Sequence, residues 1–474
     1  MDDFQVELLR RLPLAKAVLR GFGYVLDRAT LNQVFARHRR RCYEDVLRFD
    51  QLVYLIRDAL TVYQGSGHRA FVAARYQGDL PVAEQNVYGK LARLPEELSQ
   101  ALLAVGTVRL APLLPPRGAG AEIPSSLAGW RPVAFDGKKL KNAAKRLKAL
   151  RGLPGKLLGG KVLAALDVPA GLVLAMNADP DGERNDVPLV PELVSQVRQQ
   201  VPEPILWLGD RQFGNLEIPE LLTLRSGDHF LLRCPKSFKL AADPQRPAQV
   251  THDADGRTVA CEWGWIGTAG DSRRRYVRRI TLPRAQEEAV VLITDLLDEE
   301  AVPAKDLLAM YRLRWDIERV FQQVTEVFHL RALIGSTPRA MIFQAAMCFL
   351  LYNLIQVIRA YVAADGGRPV AEVSSEKLFW EVRDQLATWA GLGEPELVLR
   401  TLAPPAAADT MGLWLAEVLR GSWRLTYVKS PPRRRKPPGP GRPPAKVPRG
   451  HGGHSSTWRI LQAAKAAMLQ GQRS

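Results

Sequence analysis

The stretch Trp130-Arg-Pro-Val-Ala-Phe-Asp136 decides how the middle of this 474-residue chain folds. It is a short apolar run that ends in a carboxylate, a pattern typical of a buried strand whose last residue lies at the edge of a sheet. Val162-Leu-Ala-Ala-Leu and Gly171-Leu-Val-Leu-Ala-Met predict two more strands. Pro204-Ile-Leu-Trp-Leu-Gly-Asp210 repeats the first pattern, including the final carboxylate. The sequence therefore predicts four strands in this region.

A helical pattern from Pro188 to Gln200 lies between the third and fourth predicted strands. Three strands, a crossover helix and a parallel fourth strand together predict an α/β sheet. Asp136 and Asp210 would then both follow strand C-termini, where open α/β sheets place their sites. The alternative is that each aspartate caps a turn, which is the commoner role of an Asp-Gly step.

The net charge of +17 is concentrated in two segments of the chain. Residues 131–161 hold ten basic side chains and one acid, and residues 429–450 hold eight basic side chains and no acid. The remaining residues are neutral in sum. Because local basic segments on a neutral chain favour a polyanionic partner, we expect this protein to bind nucleic acid.

The composition excludes several classes of protein. With 46% hydrophobic and 24% charged residues, the chain is of ordinary globular type rather than disordered. Its four cysteines lie far apart without a C-x-x-C pair, which argues against a zinc module or a disulfide framework and favours a reduced cytoplasm. The apolar stretch 340–358 is interrupted by Gln344, Asn353 and Gln356, and the acidic start lacks the charge of a signal peptide. We therefore expect a buried helix over 340–358 and a soluble protein.

Changes of composition along the chain predict its domain organisation. Helical periodicity, clusters of short strands and Pro-rich basic stretches each mark one kind of unit. The predicted units are a helical N-terminal domain over 1–111, with DNA contact and simple packing both left open; an α/β core over 125–230 and 300–362; a β-strand insertion over 231–299; a helical C-terminal region over 363–428; and a basic, Pro-rich mobile tail over 429–474.

A third carboxylate, Glu318, lies on a helix predicted after Pro303, in a stretch without Pro or Gly until Gly335. Tyr311, Arg314 and Glu318 are spaced by three and four residues and share one stripe of this helix. Taken alone, this spacing is most often an ordinary surface ion pair. A separate apolar stripe for packing is formed by Met310, Leu313, Ile317, Val320, Val324 and Val327.

Three carboxylates near the ends of elements would suit divalent metal ions. Hard cations take oxygen ligands, and two cations about 4 Å apart need shared carboxylates to offset their charge. Asp136, Asp210 and Glu318 would be sufficient for that task.

These residues resemble the DDE transposases of bacterial insertion sequences, specifically the insertion-sequence-four group. The resemblance rests on Asp136-Gly137, Asp210-Arg211 and Tyr311-x2-Arg314-x3-Glu318, in that order, and runs from the helical N-terminal region to about residue 360. It implies a ribonuclease H-like catalytic core with the β-rich insertion between the second Asp and the Glu. The group's signature continues as E-x6-K, but this chain has Thr325 at the lysine position, and a hydroxyl cannot neutralise a phosphate.

The resemblance also implies a reaction and its partners. Asp136, Asp210 and Glu318 would be catalytic and would bind Mg²⁺, for which Mn²⁺ should substitute. The protein would cut double-stranded DNA at the ends of its element and join the 3′-hydroxyls to target DNA, as a homodimer holding two ends in the bacterial cytoplasm. The residues implied to contact DNA are Tyr311, Arg314, Lys138, Lys139, Lys141, Arg211 and Arg319.

Thr325 leaves two other functions open. One is a catalytically inactive relic that binds element ends and represses transposition, and the other is a metal-dependent nuclease without strand transfer. Arg319 or Arg331 would compensate for the missing lysine if either reached the phosphate. Ahead of the crossover helix, the pair Asn185-Asp186 is predicted to cap that helix rather than to bind metal.

Overall fold

Strand β1 (Arg131–Lys141) lies within a large mixed sheet that organises the protein. The structure, a computed structural model, describes residues 7–8, 10–43, 46–115, 122–141, 143, 145–234, 238–284, 288–392, 407–430 and 454–471. The other strands are β2 (Leu157–Asp167), β3 (Leu172–Asp179), β4 (Ile205–Gly209), β5 (His229–Cys234), β6 (Ala241–Ala242), β7 (Gln249–His252), β8 (Thr258–Ile266), β9 (Arg275–Leu282), β10 (Val290–Thr294) and β11 (Ser455–Ser456).

The helices cover the two ends of the chain and connect the strands. Those before the sheet are α1 (Pro13–Val25), α2 (Arg28–His38), α3 (Phe49–Thr61), α4 (Gly67–Tyr76), α5 (Glu84–Leu91) and α6 (Glu96–Leu110). Those within or after it are α7 (Val190–Arg198), α8 (Glu217–Leu222), α9 (Ala304–Leu313), α10 (Trp315–Glu326), α11 (Pro338–Asp365), α12 (Ser375–Leu392), α13 (Ala408–Val418) and α14 (Thr457–Gly471).

The sheet has the strand order β11-β2-β1-β4-β5-β10-β9-β8-β6, with β3 also pairing with β2 and β7 with β8. Strands β1, β4 and β5 are parallel, whereas β2 and β3 are antiparallel to their neighbours. Helix α7 makes the crossover from β3 to β4. The prediction of three strands, a crossover helix and a fourth strand parallel to the first is therefore confirmed.

Asp136 does not end its strand, and this corrects the prediction. Strand β1 continues to Lys141 because it stays paired with β2, as in the pair Asp136 and Ala164. On its other side, the pairing with β4 ends at Ala134 and Leu208. Asp136 therefore lies just beyond the end of β4, on a strand that runs past its parallel neighbour.

The β-rich segment predicted to begin at residue 231 extends this same sheet. Its first strand, β5, pairs in parallel with β4, and β10 returns antiparallel beside β5. Strands β9 and β8 then continue outward from β10. The segment is joined to the sheet by backbone pairing, so residues 229–234 belong to the sheet's parallel part rather than to a separate insertion.

Alternating side chains of β1 face two different cores. Val133 and Phe135 pack with α7 on one face, while Ala134 and Leu140 belong to the larger core on the other face. Because side chains alternate along a strand, Asp136 lies on the larger-core face together with Ala134. That face is the one covered by α10 and α11.

Helix α11 is the long apolar helix predicted from residues 340–358. By length and composition it would cross a membrane, and it is the one such helix in the described ranges, but its most apolar window is fully buried inside the protein. The polar side chains of α11 have hydrogen-bonding partners inside the protein. Gln344 accepts a hydrogen bond from the backbone N–H of Ile334 at 3.0 Å, and Asn353 hydrogen-bonds both backbone groups of Val173 on β3 at 2.8 Å each.

We expect Asn353→Leu to destabilise the protein by about 1–3 kcal/mol, because it leaves the buried N–H of Val173 without its acceptor and removes one of the donors to the Val173 carbonyl and to the Thr107 hydroxyl. Equilibrium denaturation of the variant and the wild type measures this loss. The matched control is Gln356→Leu on the same helix, which removes a single hydrogen bond to Ser375 and should cost clearly less. Equal losses of stability in the two variants would contradict the view that the hydrogen bonds of Asn353 hold α11 against β3.

Part of the predicted mobile tail over 429–474 is ordered in the structure, which corrects the prediction for that part. Residues 431–453 lie outside the described ranges. Residues 455–471, in contrast, form β11 and α14, since β11 adds to the edge of β2. Arg459 of α14 also forms ion pairs with Asp181 and Glu183, at 2.8 and 2.7 Å. An acidic turn after β3 thus holds the end of the chain against the sheet.

Candidate active site

Asp136 is buried on β1 and is held by its own backbone and by an arginine. Its Oδ1 accepts a hydrogen bond from the N–H of Gly137 at 2.7 Å, and its Oδ2 lies 3.5 Å from Nη1 of Arg314. Burial first, and then the charge of Asp210, raise the pKa of Asp136 to about 7; Glu318 also raises this pKa, while the Gly137 N–H and Arg314 lower it. Asp136 therefore lies close enough to both Asp210 and Glu318 for their charges to act on it.

Asp210 follows the last residue of β4 and begins a tight turn over Arg211–Phe213. Its Oδ1 accepts a hydrogen bond from the N–H of Gln212 at 3.0 Å, as an N-cap side chain does. The turn-capping alternative is thus confirmed for Asp210. One oxygen caps the turn while the charge acts on Asp136.

The predicted single helix after Pro303 is two helices, α9 and α10, with Arg314 at the junction between them. Arg314 donates its backbone N–H to Tyr311 O at 3.2 Å, and its own carbonyl accepts from Ile317 at 3.3 Å. These three-residue bonds tighten the chain by a fraction of a turn. The break turns the Arg314 side chain inward, so that it is only 4% exposed.

Arg314 joins two of the three carboxylates. Its Nη2 donates to Oε1 of Glu318 at 2.9 Å, and its Nη1 reaches Asp136. Glu318 itself is 35% exposed and opens toward solvent. A guanidinium with several donors can contact two acids at once, and here it partly offsets their charge.

Tyr311 is buried beneath Arg314 instead of standing on an exposed stripe. The guanidinium carbon of Arg314 lies 5.5 Å from the centroid of the Tyr311 ring. Burial raises the pKa of Tyr311 to about 12, and the charge of Asp210 adds to that rise. Tyr311 is therefore a neutral phenol packed between Arg314 and the end of β4.

The lysines predicted to follow Asp136 into a DNA track do not share one environment. Lys138 lies two residues after Asp136 on the same face, with its Nζ 5.8 Å from the centroid of the Phe321 ring of α10. Burial first, and then the charge of Lys141, lower the pKa of Lys138. Lys139 is exposed, and because side chains alternate along β1 it lies on the opposite face of the strand from Asp136. One ammonium of this segment is thus placed beside the candidate site.

Two other residues predicted to contact DNA, Arg211 and Arg319, already form ion pairs at the surface. Arg211 forms an ion pair with Glu288, and Arg319 pairs with Asp316 one turn back on α10 at 2.7 Å. Thr325, at the position of the signature lysine, donates its hydroxyl to Phe321 O at 2.7 Å. Its hydroxyl is therefore used within the helix.

Sequence reasoning missed a buried group on the other face of the sheet. Asp186 forms an ion pair with Lys161 at 2.5 Å, and Gln212 donates to it at 2.6 Å. Asp186 was predicted as a helix cap, but it is Asn185 whose side chain accepts from the N–H of Val187, at 3.2 Å. The signal that pointed to Asp186 is Gly137, because a glycine inside a strand marks a close approach of another group.

A second missed residue is Trp315, the first residue of α10. Its side chain is 52% exposed beside the site, and the guanidinium carbon of Arg314 lies 5.5 Å from its ring centroid. An exposed tryptophan next to buried charged groups is the kind of residue that contacts a ligand. In the sequence, the one indication was that Trp315 directly follows Arg314 of the Tyr-Arg-Glu motif.

The donor chemistry of the site fits a hard divalent cation. Asp136, Asp210 and Glu318 offer carboxylate oxygens. The negative charges of Asp210 and Glu318 act on Asp136, and a bound cation would offset this repulsion. Within the described ranges, however, no group of three or more His, Cys, Asp or Glu side chains is spaced to hold a metal ion as the side chains stand.

Comparison with known proteins places the site inside a recognised domain. Residues 133–354, which contain all three acids, match the family described as Transposase DDE domain. "Putative transposase y4zB" of Sinorhizobium fredii is 27% identical over 130 residues, which is 27% of this chain and 35% of that protein's length. A cryo-electron microscopy structure of a piggyBac transposase synaptic complex with hairpin DNA matches 85% of both chains at 12% identity, with a TM-score of 0.39.

Proposed function

We propose that this protein is a DNA transposase of the insertion-sequence-four group that cuts at the ends of its element and joins the 3′-hydroxyls to target DNA. The observation that carries the proposal is that Arg314 contacts both Asp136 and Glu318, and that the charge of Asp210 acts on Asp136, inside the segment that matches the transposase domain. The strands follow the order β3-β2-β1-β4-β5. Strand β2 is antiparallel to both β3 and β1, whereas β4 and β5 run parallel to β1, and this arrangement supports a ribonuclease H-like core.

Asp136, Asp210 and Glu318 would hold two Mg²⁺ ions, or Mn²⁺ in their place. When bound, such ions activate a water or a DNA 3′-hydroxyl and stabilise the leaving oxygen at phosphorus. The protein's own contribution is to hold the acids in place. Gly137 orients Asp136 through its N–H, Gln212 orients Asp210 in the same way, and Arg314 keeps Glu318 turned toward them.

The surface beside the acids suits a phosphodiester backbone. Lys138 lies on the same face as Asp136, and further basic residues follow it in the sequence. Such contacts position a strand without reading its sequence. Double-stranded DNA is therefore the proposed partner, and pairing of two element ends would take place in a homodimer in the bacterial cytoplasm.

Lys138→Ala should weaken binding of element-end DNA about tenfold, because Lys138 is the lysine of this segment that shares the face of Asp136. Fluorescence anisotropy at one fixed salt concentration measures the change in Kd. Lys139→Ala is the matched control, since it removes the same charge from the opposite face of the same strand and should cost only about twofold. An equal effect of the two substitutions would show that the face of the strand does not decide DNA contact.

The proposal is tested by incubating the intact protein with DNA that carries the element's own ends, with Mg²⁺ and a target plasmid. Cleavage at the ends followed by joined product supports it. Cleavage without joined product would instead indicate a nuclease. End binding without cleavage would indicate a repressor relic, which the hydroxyl of Thr325 favours because it is bonded within its own helix and offers no cation.

If the wild type binds ends without cutting them, Thr325→Lys separates two explanations. Gain of cleavage would show that the missing ammonium inactivates the protein, which would support its interpretation as an inactive, DNA-binding relic. Full activity of the wild type would show that Thr325 is no defect and would dispose of that reading.

A further inference from the structure

A buried ion pair lies directly behind the candidate active site, on the opposite face of the sheet. Lys161 of β2 and Asp186, from the turn before α7, contact each other at 2.5 Å with side chains that are 6% and 7% exposed. Lys161 also donates to the carbonyl of Arg184 at 2.7 Å. Removing two charges from water costs several kcal/mol, and an apolar pair of similar volume is often at least as stable. Stability alone therefore gives no reason for this pair.

Asp186 touches the backbone of β1 at the residue next to Asp136. A Cβ added at Gly137 would lie 2.4 Å from the carboxylate atoms of Asp186, closer than any side chain tolerates. Only a glycine at position 137 allows the two to meet. The same residue donates its N–H to Asp136 on the other face. The position of Gly137, and with it the orientation of Asp136, is thus limited by Asp186.

Asp186 also holds the turn that carries Asp210. Its Oδ2 accepts a hydrogen bond from the side chain of Gln212 at 2.6 Å. The backbone N–H of that same Gln212 donates to Asp210 at 3.0 Å. Asp186 therefore contacts two separate segments, and each of them orients one carboxylate of the site.

We propose that Asp186, fixed by Lys161, is a positioning residue that sets the spacing of Asp136 and Asp210 from behind the sheet. Its catalytic consequence rests on the proposed function, while its structural consequence does not. Groups that orient metal-binding side chains without touching the metal commonly change metal affinity or activity by about 10- to 100-fold when they are removed.

The experiment compares the double variant Lys161→Met/Asp186→Leu with the wild type. Replacing both charges removes the network without leaving an unpaired buried ion, so the double variant should unfold at a denaturant concentration close to that of the wild type. Its cleavage rate at saturating DNA should nevertheless fall at least about tenfold, and its half-saturating Mn²⁺ concentration should rise, while the Kd for DNA stays unchanged. A pair with a purely structural role would leave the rate unchanged in this stable variant, and that result would overturn the proposal.

Hydrogen exchange of the Gln212 amide gives a readout that does not depend on activity. We expect faster exchange in the double variant, because Gln212 loses the partner that holds its turn beside Asp210. Unchanged exchange would overturn the positioning role even if the rate fell. If the wild type neither cleaves DNA nor binds Mn²⁺, the proposed function fails, and the exchange result alone decides whether Asp186 positions the turn.

Two single variants complete the set. Asp186→Asn keeps the shape and an acceptor for Gln212 but leaves Lys161 without its charge partner. Asp186→Asn should therefore be less stable than the double variant. If it were more stable, Lys161 and Asp186 would not be a buried pair of charges.

Arg184→Met is the matched control, since the Arg184 side chain is half exposed and pairs with Asp179 next to the network. It should leave rate, Mn²⁺ dependence and exchange as in the wild type, and a change in any of them would show that the effect is not specific to Asp186.

Discussion

Asp136→Asn should lower the rate of DNA cleavage at element ends by roughly a thousandfold or more while leaving DNA affinity nearly unchanged. The substitution keeps the volume of the side chain and an oxygen that accepts from the Gly137 N–H. It removes the negative charge that Asp136 would offer to a divalent cation. Only a function of the carboxylate charge is lost, so the effect should fall on the rate.

Single-turnover cleavage of labelled end DNA measures the rate, and anisotropy measures the affinity. The matched control is Asp255→Asn, which makes the same chemical change at an exposed carboxylate in the turn between β7 and β8. It should leave both quantities within about twofold of the wild type. A wild-type rate in Asp136→Asn would show that Asp136 is not part of the reaction, and the acids around Arg314 would then need another explanation.

Arg314→Met should destabilise the protein by about 2–4 kcal/mol and abolish cleavage, because it leaves Asp136 and Glu318 without the cation between them. The expected loss is below that of a fully buried ion pair since Glu318 is 35% exposed and keeps part of its hydration. Arg314→Lys should recover part of the stability but little of the activity, because a single ammonium cannot contact both acids with the same geometry.

Denaturation with and without Mg²⁺ gives this prediction a specific signature. If the acids bind the cation, Mg²⁺ should restore more stability to Arg314→Met than it adds to the wild type, since the ion replaces a missing positive charge. Arg312→Met, two residues earlier, is the control. Arg312 is 53% exposed and pairs with the exposed Asp255 and, at 3.6 Å, with Asp253, which keeps Arg257 as its closer partner, so the loss of Arg312 should cost less than about 1 kcal/mol. Equal destabilisation by the two variants would contradict the bridging role of Arg314.

Several features of the fold could be predicted from sequence because they depend on local pattern. The four strands around Asp136 and Asp210 were correctly placed, since a short run of apolar residues bounded by turns is a local signal. The same is true of the buried helix over 340–358, whose interrupting amides proved to be buried hydrogen-bonding residues rather than exposed ones. Strand ends and motif spacing together pointed to Asp136 and Glu318, which Arg314 contacts, and to Asp210, whose charge acts on Asp136.

Other features were wrong or missing because they depend on pairing over long distances. A strand does not show in its own sequence how far its neighbours extend, so the continuation of β1 past Asp136 was not predicted. A helical pattern does not show where tertiary packing will tighten a turn, so the break at Arg314 was not predicted either. The end of the chain was expected to be mobile because its basic, Pro-rich segment has little apolar content. Its partner, the edge of β2, lies about 300 residues earlier and could not be predicted from local composition.

By itself, then, the sequence determined which side chains carry charge and in what order they follow the predicted strands. Only the tertiary structure decided which of them share a face: Lys138 lies with Asp136 while Lys139 does not, and Asp186 supports the site from behind. The physical reason is that residue type and local spacing are properties of the chain. The face that a side chain occupies, and the cost of burying it there, are set by strand register and by neighbours that are distant in sequence.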